Sequence, residues 1–202
     1  MFGAFKSLFL KNKNSIAEQI WLPLSVPINL IRLKISNEDF INEFSKDEYL
    51  TFFFNGYLLF MTEHFFNVKN KSDKGIIVQK VMQMFDPKFK DHNELMEYQL
   101  KVSKYQSKDA IQGAEDSAIA GAIMIANPKV KNQYSNNKIY LEAVKFYDNG
   151  DFLKKIKMQK KVLGSLATGK DPSKMPRHFA ISSIFFDLTF TKKLNKRFKI
   201  KS

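Results

Sequence analysis

The chain has 202 residues, with 33 lysines and arginines against 20 acidic residues and a formal charge of +13. It lacks cysteine, which excludes disulfides, thiolate metal sites and a cysteine nucleophile. Its three histidines (His64, His92 and His178) form no HExxH or ExxH pair, so neither a metal site nor a cofactor is expected.

Residues 151–202 hold fourteen of the basic residues against Asp151, Asp171 and Asp187, so the attraction for anions sits in the last quarter. Lysine outnumbers arginine thirty to three. An AT-rich genome yields that bias without a selected partner, so charge alone does not name a ligand.

In chain order, MFGAFKSLFLKNK sets Phe2, Phe5, Leu8 and Phe9 at helical spacing. Docking of this segment on its own domain is expected, with contact of Phe2, Phe5 and Phe9 with an acidic membrane as the alternative. Lys6 and Lys11 bracket too short an apolar run for a signal peptide. Residues 16–31 are apolar but carry Glu18, Pro23 and Pro27. They predict an extended or irregular segment pressed on the core by Trp21, too interrupted to span a bilayer. Residues 1–35 thus read as a partly irregular N-terminal segment.

Two helix starts follow. Ser36 with Asp39 caps a short helix over about 37–44, and Ser45 with Glu48 forms a capping box for a longer one over 46–66. The second contains YLTFFFNGYLLFM, whose aromatic density would suit a strand, but the box decides for helix. NVKNKSDKG reads as a loop and Gly75–Phe85 as a helix closed by Pro87. Asp91 and Glu94 cap the next helix, which either continues straight into the alanine-rich segment or breaks near Ser107, where Ser107 and Asp109 are both competent caps.

Residues 107–127 carry alanine at every fourth position from Ala110 to Ala126, with Gly113, Ser117 and Gly121 beside that ladder. A face so poor in side chains lets another helical backbone approach closely. Glu115 lies on its flank and Asp116 is expected to point away. A solvated Glu115 is the favoured reading. A buried one would be a catalytic candidate, a general base beside an aromatic-lined pocket.

Residues 135–149 predict a helix stopped by DNG and restarted at Asp151. In its aromatic-x-x-x-Gly-Asp-Phe turn this hairpin resembles one tetratricopeptide repeat. Lys155 and Gln159 stand where that repeat packs small or aromatic residues, and a solenoid needs several copies. An ordinary antiparallel pair is expected. Gly164–Lys170 spells GxxxxGK, but Asp171 replaces the hydroxyl that a phosphate loop needs, and no strand precedes it. Residues 178–190 return to the core, and 190–202 leave as a basic tail.

Glu63 and His64 are adjacent, about 100° apart on a helix, and cannot form one site alone. The cationic candidates are Lys154, Lys157, Lys161, Lys192, Lys193, Lys196, Arg197 and Lys199.

The sequence therefore predicts an all-α single domain, an irregular bundle of about seven or eight helices around the alanine-rich and aromatic helices. Its expected role is non-enzymatic, with the cationic C-terminal quarter docking on an acidic membrane or an acidic protein partner. The alternatives are a nucleic-acid binder of weak sequence specificity and a small-molecule or lipid-binding protein, conceivably an enzyme, with a pocket near Glu115. A cytoplasmic or membrane-peripheral location is expected, without a transmembrane span.

Overall fold

A computed structural model describes residues 12–126, 131–156 and 175–199. Among them the chain is helical throughout with no strand, and eight long helices stand where seven or eight were expected. None is long and apolar enough to cross a membrane.

The helices are α1 Lys13–Arg32, α2 Asn37–Lys46, α3 Glu48–Phe60, α4 Lys71–Phe85, α5 His92–Val102 and α6 Lys108–Ile125, then α7 Lys131–Tyr134 and α8 Lys138–Asp148. Helical residues 151–156 form α9, followed by α10 Arg177–Phe186 and α11 Lys192–Arg197. A π-helical turn, Met61–Phe65, extends α3, and a second, Asp187–Thr191, joins α10 to α11. The chain forms two compact units, one taking residues up to Ala118 and from Lys193 onward, the other Ile119–Lys192.

In the first unit α1 packs mainly on α4. Residues 16–31 are thus helical, not extended, and both prolines lie inside the helix. Each proline removes one backbone hydrogen bond, at roughly 3 kcal/mol. Against that, Ile16, Ile20, Leu24, Ile28 and Ile31 are buried at three- and four-residue spacing, at roughly 1.5–3 kcal/mol each. Burial outweighs the breakers. Asn12 caps the start by accepting from the Asn14 N–H at 3.0 Å.

Ser36 caps α2 as expected, accepting from the Asp39 N–H at 3.1 Å. The cap of α3 is Asp47, not Ser45, and its carboxylate accepts from the Leu50 N–H at 3.0 Å. The reason is local: α2 runs on to Lys46, so Ser45 is inside a helix, and the chain first becomes extended at Asp47. Helix α4 begins at Lys71, four residues before the expected start, because Asn70 caps it by accepting from the Asp73 N–H. Asp91 caps α5, and Ser107 caps α6 by accepting from the Ala110 N–H at 3.1 Å.

The core of this unit is aromatic. Phe40, Phe44, Phe53, Phe54 and Phe85 are fully buried, and the Phe44, Phe54 and Phe85 rings meet at 4.7–6.0 Å. Helix α6 crosses α3 with backbone almost on backbone. A Cβ on Gly113 would stand 2.3 Å from the Tyr49 carbonyl oxygen, and one on Gly56 would stand 2.2 Å from Ser117 Oγ.

The small-residue face therefore is a close helix crossing, centred on Gly113 and Ser117. Of the alanine ladder, Ala110 and Ala122 are buried while Ala118 and Ala126 are exposed.

In the second unit α8 packs on α10, burying Ala143, Ala180, Ile181, Ile184 and Phe185. Ser182 Oγ donates to the Ala120 carbonyl at 2.8 Å. Arg177 holds both carboxylate oxygens of Asp148 at 2.9 Å. Helix α8 stops at Asp148 and helical residues resume at 151, with Gly150 at φ +76° in the turn; most of the expected second helix of the pair lies outside the described residues.

Candidate functional site

Helix α11 sorts its residues by face. Leu194 is fully buried and Phe198, four residues on, stacks on Phe40 at 5.1 Å between ring centroids. Lys193 and Arg197 turn toward the preceding helices. The Lys193 ammonium lies 4.7 Å over the Tyr49 ring, and the Arg197 guanidinium donates to Glu43. Lys192 and Lys196 face solvent four residues apart, and Lys199 follows, also exposed. None of these three makes an ion pair among the described residues. The nearby acid is already held: Glu43 is paired by Lys46 as well as Arg197, and the Lys46 hydrogen bond is the main cause of its lowered pKa.

The segment expected to leave as a tail is thus docked on the core through Phe198. Docking explains why its charge is divided, since two cations are held by neighbours and three are left to water. Lys154 is exposed but paired with Asp151 at 3.1 Å. Lys157 and Lys161 lie outside the described residues, as do Phe2, Phe5, Phe9 and the GxxxxGK segment.

Phe40 joins this helix to α1. On its ring rests the Arg32 guanidinium, 4.8 Å from the centroid, and on the same ring rests Phe198. The ends of α1 and α11 therefore meet on one side chain. Helix α1 brings with it a feature that the sequence reading missed. Leu22, Val26, Leu30 and Leu33 are 65%, 59%, 58% and 82% exposed. Their spacing of four, four and three places them within about 80° of arc, opposite the buried isoleucines. The signal was present, since no charge occurs from Gln19 to Ile31, but the prolines masked it.

Glu115 is exposed, while Asp116 is the buried carboxylate, at 2% exposure. This reverses the expected orientation. The contact centres on Gly113, from which Asp116 lies about 60° away and Glu115 about 160°. Tyr49 Oη donates to Asp116 at 2.7 Å and Gln112 Nε2 at 3.0 Å. Desolvation raises the Asp116 pKa. The Tyr49 and Gln112 hydrogen bonds and Lys193 oppose the rise, and Glu115 adds to it. With both oxygens bonded inside a helix crossing, Asp116 is a structural carboxylate. An exposed Glu115 lacks the apolar setting that a general base there requires.

Glu63 pairs with Lys74 at 2.8 Å, and His64 is exposed against the Phe60 ring, so the two do not converge. An open groove of about 290 Å³ lies between Ile41, Asp86, Phe89 and Tyr98, rimmed by Glu94, Glu97, Lys88 and Lys101. Its charges are mixed. Burial pushes the pKa of the Tyr98 hydroxyl up to about 12, against the Asn55 hydrogen bond that opposes the rise, so it is neutral there. Among the described residues no cluster of three or more His, Asp or Glu could hold a metal ion. No family model, no curated protein and no solved structure matches this chain.

Proposed function

We propose that this protein is a non-enzymatic binding protein that docks on an anionic surface, and that the surface is an acidic phospholipid membrane. The observation that carries the reading is the division of charge on α11. Lys193 and Arg197 are held by Tyr49 and Glu43, while Lys192, Lys196 and Lys199 are exposed and make no ion pair among the described residues. Such lysines on a chain of charge +13 attract any anionic surface over roughly a Debye length, about 8–10 Å near physiological salt. Lysine is a point charge suited to phosphates and lacks the planar fork that reads base edges. Sequence-specific nucleic-acid recognition therefore has no support here.

Co-sedimentation with vesicles tests the reading. Binding is expected to vesicles containing phosphatidylserine, not to phosphatidylcholine alone, and to weaken as salt rises. Replacing Lys192, Lys196 and Lys199 by Gln should weaken it by roughly 100-fold, at about 1 kcal/mol per lysine near an acidic surface. Equal binding to neutral vesicles, or none to either, would overturn the reading. A gel shift at low salt with no vesicle binding would replace it by nucleic-acid binding.

A further inference from the structure

Resting on the membrane reading above, we propose that α1 is the part of the protein that enters the bilayer, with Leu22, Val26, Leu30 and Leu33 as its inserted face. Three observations carry this. The four side chains are more than half exposed, and they form one stripe on a helix whose opposite face is already buried against α4. Among the described residues the stripe is left uncovered within its own unit. Thirteen residues from Gln19 to Ile31 carry no charge and Asn29 lies beside the stripe, while exposed Glu18 precedes Leu22 by one turn and Arg32 and Lys34 flank Leu33. The C-terminal end of the stripe carries exposed Lys34 and reaches the Phe40 ring, where Phe198 brings Arg197 and Lys199 alongside.

Charge selects the occupant. A second copy would bring +13 toward +13, which like-charge repulsion opposes. Nucleic acid offers phosphates but nothing to cover a leucine stripe. An acidic bilayer supplies headgroups for the lysines and acyl chains for the leucines at one surface.

The prolines set the depth. With no N–H at Pro23 and Pro27, the carbonyls of Gln19 and Pro23 lose their helical donors. Such groups are costly in hydrocarbon, where no water replaces the donor. The helix therefore lies flat at the headgroup boundary.

The absence of cysteine makes the test direct. Val26→Cys in the full chain gives a single labelling site for an environment-sensitive fluorophore, and Lys101→Cys, at an exposed position of α5 in the same unit, gives a control site. With phosphatidylserine vesicles the label at 26 should shift to the blue and be quenched by a lipid-borne quencher, while the label at 101 should do neither. Leu22→Ser with Leu30→Ser should lower vesicle affinity tenfold or more, at roughly 1.5–3 kcal/mol per inserted leucine before partial burial is allowed for. Both positions are exposed, so an unchanged thermal melt and unchanged retention on heparin are expected.

If the chain co-sediments while the label at 26 stays aqueous, docking is by charge alone and the insertion proposal falls, leaving the membrane reading intact. If nothing co-sediments, both fall. A label already shielded without vesicles also overturns the proposal. It then identifies a second copy if the chain sediments as a dimer, or the chain's own first eleven residues if their deletion exposes the label.

Discussion

Gly113 lies under the backbone of Tyr49, with room for a hydrogen but not for a methyl group, since a Cβ there would meet the Tyr49 carbonyl oxygen at 2.3 Å. Backbone cannot step aside as a side chain can. Gly113→Ala is therefore expected to cost about 3 kcal/mol, at the upper end for overpacking. Gly56→Ala meets the Ser117 hydroxyl instead, which can rotate at the loss of its 2.7 Å bond to the Ala114 carbonyl. It should cost about 1 kcal/mol. Gly75→Ala, with nothing within 4 Å in a helix interior, should stabilise by about 0.5–1 kcal/mol. Urea unfolding of the three variants checks the order.

Asp116 gives the fold a pH dependence whose sign follows from burial. Its carboxyl is held above the ordinary value of 3.8, chiefly by desolvation, so the folded chain binds this proton more tightly than the unfolded chain does. The stabilisation is complete below the unfolded value and is lost as pH rises through the raised one. Relative to Asp116→Asn, the wild-type protein should thus lose stability as pH rises above about 4. Denaturant midpoints of the pair across that rise measure the difference. A constant gap would mean that Asp116 is solvated.

Docking of α11 rests on Phe198 rather than on its ion pair. The Phe198 ring is half-buried and stacked on Phe40, so Phe198→Ala should cost about 1–2 kcal/mol. Glu43→Gln removes an exposed partner of Arg197 and should shift the thermal midpoint barely, as exposed pairs generally do. Calorimetry of the two variants separates the contributions.

Helix α1 is held by what it buries rather than by intrinsic helix preference. Leu24 is fully buried, and Leu24→Ala should cost about 3 kcal/mol. Pro23 is half-buried, and Pro23→Ala restores a donor for the Gln19 carbonyl, so it should raise stability by about 2 kcal/mol, the helix-interior proline penalty less the entropy that the unfolded chain regains.

Much of the helical layout could be read directly from the residues. Ser36, Asp91 and Ser107 are side-chain caps whose geometry is set within three residues, and all three cap as their local sequence indicates. The glycine-rich face of α6 was also legible as a close crossing, because only a neighbouring backbone fills such a surface. Its rotation was not. Alanine is compatible with either face, so five alanines outvoted Gly113 and turned Asp116 away from the crossing that buries it, while Glu115 is exposed as the favoured reading has it.

The candidate surface was harder still. The lysines of α11 were visible as charge, but which of them are held and which are free depends on Tyr49 and Glu43, far away in sequence. The α1 stripe was hidden by Pro23 and Pro27, whose local cost is read easily while the compensating burial is tertiary.

The most direct measurement is penetration of a phosphatidylserine monolayer, because surface pressure rises when side chains enter the film and not when charges merely rest on it. Wild-type protein is expected to raise the pressure, the Leu22→Ser and Leu30→Ser double variant to adsorb with little rise, and the lysine-to-glutamine triple variant to adsorb weakly. An equal rise from all three proteins, or none from wild type, would contradict the account.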